Sequence, residues 1–148
     1  MAAYAFYHLM RGTAENALAA LLGRTLDAGQ RAVIMVGDSA RMNHLDDALW
    51  KISDPLWLPH GASGCAYPER QPIWLTDGSD VPNGARYLFL MNGRSLPDNS
   101  DFERIFDVFD GQDEAEVSAA RERWRQAQAG GHDLAYWKQE NRGWKRAR

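Results

Sequence analysis

The stretch Ala32–Trp50, A-V-I-M-V-G-D-S-A-R-M-N-H-L-D-D-A-L-W, decides the fold class. Ala32 to Val36 is a continuous apolar run too short for a buried helix, so it predicts a strand covered on both faces. Gly37 closes it. Asp38 or Ser39 then offers the side-chain acceptor that caps a helix, and Met42, Leu45 and Leu49 recur at helical spacing with Trp50 beside them. Towards the N-terminus the same order appears once more. Ala3 to Leu9 is an aromatic-rich strand and Thr13 a cap. Ala14, Leu18, Leu21, Leu22 and Thr25 mark one face of a helix that stops near Gly29. Strand, helix, strand, helix predicts a right-handed parallel α/β unit.

Beyond Trp50 the rhythm loosens. Pro55, Pro59, Pro68 and Pro72 break the next segment into loops and short strands, of which Leu56–Leu58 and Ile73–Thr76 are expected. Arg86–Met91 is a clearer strand. Phe102, Ile105, Phe106 and Phe109 fit a short helix or a strand, and a final strand from about Ile105 is the better fit. The last helix is the best signalled. Asp113 with Glu116 forms a D-x-x-E capping box, Val117, Ala120, Trp124 and Ala127 make one stripe, and Gly130-Gly131 ends it. After Gly131 the chain is polar, aromatic and basic. The expected division is one α/β domain over 1–137 and a basic, flexible tail over 138–148.

A chain of 148 residues, 45% hydrophobic and 25% charged, is long enough for one self-sufficient core. Its longest apolar runs are too short for a bilayer span, and the N-terminus reads as a strand rather than a signal peptide. With one cysteine, Cys65, no intrachain disulfide is possible, and a cytoplasmic, reduced setting is expected.

Charge is divided unevenly. From Ser118 to Arg148 eight Lys/Arg stand against three Asp/Glu, whereas residues 1–117 hold nine against seventeen. Trp124, Trp137 and Trp144 are set into the basic stretch, which points to an anionic, partly apolar partner. Catalytic chemistry finds little support. Neither G-x-G-x-x-G nor G-x-x-x-x-G-K-[ST] occurs, so no backbone wrap for a pyrophosphate is evident. His8, His44, His60 and His132 lack metal-ligand spacing, and Val36-Gly37-Asp38-Ser39-Ala40 lacks the glycines of a nucleophile elbow. No cofactor, no metal and no enzymatic activity are expected. His60 beside Cys65 reads as a hydrogen-bonded loop histidine and an inert thiol, and Asp46-Asp47 as solvated surface.

Two surfaces remain. Arg121 and Arg125, one turn apart and flanking Trp124, suit a peptide carboxylate with an apolar side chain. They equally suit single-stranded nucleic acid, with phosphates on the arginines and a base on the indole. The alternative is that Trp124 packs inward and the arginines are merely solvated. Trp50, Trp57 and Pro59 form either an apolar anchor surface or an extension of the core.

These clusters carry a resemblance. Leu45-Asp46-Asp47-Ala48-Leu49-Trp50 followed by Leu56-Trp57-Leu58-Pro59-His60 resembles the L-D-x-x-L-W…F-L-P-H signature of the chi subunit family of bacterial DNA polymerase III. Phe6-Tyr7-His8-Leu9, Ala120-Arg121-Glu122-Arg123-Trp124-Arg125, Gly130-Gly131-His132 and Tyr136-Trp137 fit the same pattern. The resemblance implies a Rossmann-like three-layer sandwich with a mostly parallel central sheet, helices on both faces and no nucleotide site. It implies a non-catalytic accessory of the clamp-loader complex at the bacterial, nucleoid-associated replisome. Such a subunit pairs with the psi subunit and binds the acidic, aromatic-ended C-terminal tail of single-stranded DNA-binding protein, meeting DNA mainly indirectly and no membrane. Carried onto this chain, Arg121 would take the tail's terminal carboxylate, Trp124 and Val117 the apolar pocket, and Arg125 the carboxylate or an upstream aspartate. Trp50, Trp57 and Pro59 would face psi. Two departures stand out. Val117 occupies a position that can be lysine in the family, and Gly61-Ala62-Ser63-Gly64-Cys65 lacks the asparagine often found after the histidine. Lys145, Arg146 and Arg148 are candidates to supply the missing charge.

Overall fold

The computed structural model describes residues 2–52, 58–97, 101–140 and 143–148. Strands β1 (Ala3–Leu9), β2 (Ala32–Met35), β3 (Gly61–Ala62), β4 (Ile73–Thr76), β5 (Tyr87–Leu90), β6 (Arg104–Asp110), β7 (Asp133–Glu140) and β8 (Gly143–Arg146) form one sheet. Among the described residues its order is β3-β4-β2-β5-β6-β1-β7-β8. All neighbours pair parallel except β7 with β8. Helices α1 (Ala14–Asp27) and α2 (Ser39–Lys51) cover one face, and α3 (Glu114–Ala129) covers the other. This is the expected three-layer α/β architecture, with an antiparallel strand added at one edge.

Residue alternation explains the layers. Along β1, Ala5, Tyr7 and Leu9 join the α1/α2 core while Tyr4 and Phe6 join the α3 core. Likewise Ile34 and Phe89 face one way, and Val33, Met35, Leu88 and Leu90 the other. Both faces being dry, these strands read as unbroken apolar runs.

The caps hold as expected at Thr13 and Asp38, whose side chains accept from Asn16 N–H and Arg41 N–H. At α3 the capping box forms by half. Asp113 accepts from Ala115 and Glu116 N–H, but Glu116 reaches Asp110 N–H at 3.4 Å instead of its own cap residue. Asp113 N–H is already taken by the Asp110 carbonyl in the turn leaving β6. Helix α3 ends on Gly131 at φ +75°, a left-handed position that frees Gly131 N–H for Gln128 O and His132 N–H for Ala127 O. That turn delivers the chain directly into β7, beside β1.

Three expectations change. The strand expected at Leu56–Leu58 has its first two residues outside the described set. Leu58 is buried but belongs to no strand, and the edge strand is Gly61–Ala62. Gly61 lies there because a Cβ would strike the Gln71 side chain at 2.8 Å. The strand from Ile105 is not the last one. Leu134 and Tyr136 pack on the α3 face and Ala135 and Trp137 on the other, so the aromatic stretch after Gly131 is a further two-faced strand. Past Trp137 the strand runs on to Glu140, and β8 returns along it with Trp144 edge-on to Tyr7 at 5.1 Å.

Helix α3 is fastened by one buried ion pair. Arg123 Nε and Nη2 donate to the two carboxylate oxygens of Asp107 on β6, at 2.6 and 2.9 Å, and Tyr4 OH donates to the same carboxylate at 3.3 Å. Arg123 is 6% exposed and Asp107 1%. Removing one partner leaves the other charge buried and unpaired. Asp107→Ala is therefore expected to lower the unfolding free energy by about 3–5 kcal/mol. Arg125→Ala breaks only the exposed contact with Glu122 and is expected to cost at most about 1 kcal/mol. Urea denaturation of both variants checks the contrast.

Candidate functional site, a basic groove and an exposed tryptophan

The stripe Arg121, Trp124, Arg125 and Gln128 runs along α3 at i, i+3, i+4 and i+7, and with Tyr136 and Arg148 it lines a groove of about 370 Å³. The neighbouring stripe, Ala120, Arg123 and Ala127, is the buried one. Two alanines let the helix sit close to Phe6 and Phe109, and the helix is rotated so that Trp124 lies at the boundary. Its indole is half-buried, 5.3 Å from the Phe6 ring and 5.8 Å from Tyr136. Trp124 thus does both things weighed from sequence. One side packs on the sheet, and the ring also floors the groove.

The walls are cationic. Arg121 is exposed on the helix, and Arg148 holds its guanidinium 5.1 Å from the centre of the Trp124 ring. Arg125 is exposed and pairs with Glu122 at 3.1 Å. Among the described residues neither Arg121 nor Arg148 forms an ion pair. Val117 does not line the groove and is half-buried against the α3 core. Lys145 and Arg146 do not line it either. Sequence reasoning missed Tyr136 as a lining residue, although a signal was present in the alternation Leu134, Tyr136 against Ala135, Trp137. Of the three basic residues offered to supply charge, Lys145, Arg146 and Arg148, nothing local singled out Arg148 as the one that lines the groove.

The second surface lies at the C-terminal end of α2. Trp50 is 55% exposed, so it does not extend the core. Its ring packs on the His60 ring at 4.1 Å. His60 is buried and held at both nitrogens, Nε2 to Asp46 Oδ1 at 2.8 Å and Nδ1 to the Leu58 carbonyl at 2.7 Å. Asp46 is therefore a clamp on His60 rather than free surface charge, and His60 is the support of the indole. Pro59 is half-buried between Leu58 and His60. Trp57 lies outside the described residues. Cys65 is exposed and free, with Ser63, Gly64 and Ala66 around it in a surface turn.

The parallel sheet has its switch point between β2 and β5, where α/β proteins commonly place ligands. Of the three helices that start at that end, α2 and α3 have caps that carry carboxylates, Asp38 and Asp113, which already accept from the helix N–H groups an anion would need. Among the described residues no three His, Cys, Asp or Glu gather as metal ligands, and no helix is long and apolar enough to cross a membrane.

Comparison with known proteins gives a consistent result. The family model described as DNA polymerase III chi subunit, HolC, matches residues 1–135. A protein of Rickettsia prowazekii (strain Madrid E) named "Probable DNA polymerase III subunit chi" is 27% identical over 92 residues. That stretch spans 62% of this chain and 56% of the relative.

The field of the groove reaches His8 at the end of β1, whose Nδ1 lies 2.6 Å from Tyr136 OH. Partial burial, then the Lys138 ammonium and the Arg121 guanidinium, hold its imidazole below the ordinary 6.5, against the opposing pull of a Gly111 backbone hydrogen bond and Asp110. A folded value below the unfolded one means that the linked stability is complete above about pH 6.5 and is lost as pH falls through the folded value. NMR titration is expected to place His8 below 6.5 in the native protein. Arg121→Ala is expected to move it upward, and an unmoved value would remove Arg121 from the field at His8.

Proposed function

This chain belongs to the DNA polymerase III chi subunit family, and on that premise we propose that it is a non-catalytic accessory subunit linking two partners during replication. One is psi, through which it joins the clamp-loader complex. The other is the acidic C-terminal tail of single-stranded DNA-binding protein. The observation that carries the proposal is the groove on α3. An indole floor stands beside the Arg121 and Arg148 guanidinium groups, which pair with no carboxylate among the described residues, and this suits an anionic peptide ending in an aromatic residue. Arg121 takes the terminal carboxylate, Trp124 receives the aromatic side chain, and Arg125 exchanges Glu122 for the carboxylate or an upstream aspartate. Val117, one turn before Arg121 on α3 and half-buried, borders the apolar side of the site.

The psi-facing surface is Trp50 with Pro59; Trp57, the third residue assigned to it from sequence, lies outside the described residues. A large exposed indole pinned on a doubly anchored histidine loses little freedom on binding, which is the character of an interface hot spot. The two surfaces are well separated. α2 packs by β3 and β4 on one face, whereas the groove lies by β7 on the other. Five strand spacings across the sheet amount to about 24 Å, enough for both partners to bind at once.

Fluorescence anisotropy with a labelled peptide of acidic residues ending in proline and phenylalanine tests the groove. Arg121→Ala is expected to weaken binding by about 1.5–3 kcal/mol, the range of a hydrogen bond to a charged group. Salt dependence should be modest. Equal binding of a peptide lacking the last two residues would refute the tail site. A steep salt slope with oligonucleotide alone would instead identify direct single-stranded nucleic-acid binding. For the second surface, Trp50→Ala is expected to abolish co-purification with psi while leaving tail affinity unchanged.

A further inference from the structure

We infer that the β7–β8 hairpin supplies the groove with its third cation, and that Arg148 is a specificity-determining residue for acidic side chains preceding the peptide's terminal carboxylate. The inference rests on the tail-binding proposal above and extends it to a residue outside the shared family stretch, which ends at residue 135.

The backbone shows how Arg148 arrives there. Along most of the hairpin the pairing is regular, with Trp137 opposite Arg146 and Lys138 opposite Lys145. At Tyr136 it changes. Ala147 N–H donates to Tyr136 O at 2.7 Å, while Tyr136 N–H donates to Arg148 O at 3.1 Å. Two residues of the returning chain therefore face one residue of β7, which is the geometry of a β-bulge. A regular ladder would send residues 147 and 148 to opposite faces, whereas a bulge re-aims one of them. Tyr136 faces α3, and Arg148 comes to lie over Trp124 on that same side. Arg146, on the regular part, instead shares the face of Trp137. Of the basic residues in β8 and beyond, Arg148 alone among those described lines the groove.

Position sets its role. Arg121 and Arg125 stand on the helix wall, and Arg148 stands on the strand wall across the indole. A peptide whose terminal carboxylate is held on the helix wall, with its aromatic residue on Trp124, must leave past Arg148. The side chains within reach of that guanidinium belong to the preceding residues. Arg148 makes no internal ion pair among the described residues, so its charge is available to them. The Tyr136 and Trp144 packing that shapes the hairpin keeps the bulge in place.

The test is anisotropy on the full chain with two labelled peptides, one rich in aspartate and ending in proline and phenylalanine, the other with those aspartates replaced by asparagine. Wild type, Arg148→Ala and Arg148→Glu are compared, with Arg121→Ala as reference. Arg148→Ala is expected to weaken the acidic peptide about three- to tenfold, between the effect of an exposed ion pair and that of a desolvated charged contact, and Arg148→Glu to weaken it further. On the asparagine peptide the Arg148 variants should match wild type, while Arg121→Ala should still lose affinity. Unchanged affinity of Arg148→Ala for the acidic peptide overturns the inference. So does an equal loss on both peptides, which would make Arg148 a support for the indole, or a gain in affinity, which would make it a cover over Trp124. If wild type binds neither peptide, the tail-binding proposal itself fails and this inference falls with it.

Discussion

The bidentate pair between Arg123 and Asp107 is the constraint on which the functional face depends. Asp107 occupies a β6 position between Ile105 and Phe109, in an apolar core where Tyr4 offers it a hydroxyl, and its charge is tolerable there because α3 brings a guanidinium to it. The pair fixes the rotation and height of α3. Once Arg123 points inward, Arg121 and Arg125, two residues to either side, must point outward, and Trp124 is left at the rim. Burial pushes the Asp107 carboxyl up while the Arg123 contact pulls it down, so the arginine is what keeps the buried acid useful as an anchor. An apolar pair would hold the helix to the sheet, but it would not set this rotation as sharply.

The same economy appears at the other surface. Asp46 and His60 do not present themselves to a partner. They hold one another, and His60 carries Trp50. In both places ionisable residues act as scaffolding beneath an aromatic ring, and the aromatic ring is what is offered outward. The helix caps spend their carboxylates on backbone N–H groups at the switch point, so the features of an α/β nucleotide fold are here turned to internal use.

Much of the fold was legible from residue order. Apolar runs gave β1, β2, β4 and β5, and helical spacing with caps gave all three helices, because both signals are local and each repeats over several residues. The C-terminal strands were not recognised, because the basic residues among their aromatics dilute the periodicity. β7 is apolar only over its first half, and β8 has Trp144 alone directed at the core. Of the site, Arg121, Trp124 and Arg125 were legible as a one-turn stripe. Val117 was placed with them by resemblance; one turn before Arg121, it is half-buried against the α3 core and does not line the groove.

The sequence by itself determined the parallel α/β class, the boundaries of its helices and the cationic, aromatic character of α3, since periodicity, caps and charge are written in consecutive residues. Only the tertiary structure decided which of Arg121, Arg123 and Arg125 would be buried, that Asp46 would meet His60, and that Arg148 would meet Trp124. Those choices join residues 14 to 24 positions apart, through helix rotation, loop path and a bulge. Their energies depend on burial and distance, which appear only once the chain has closed on itself.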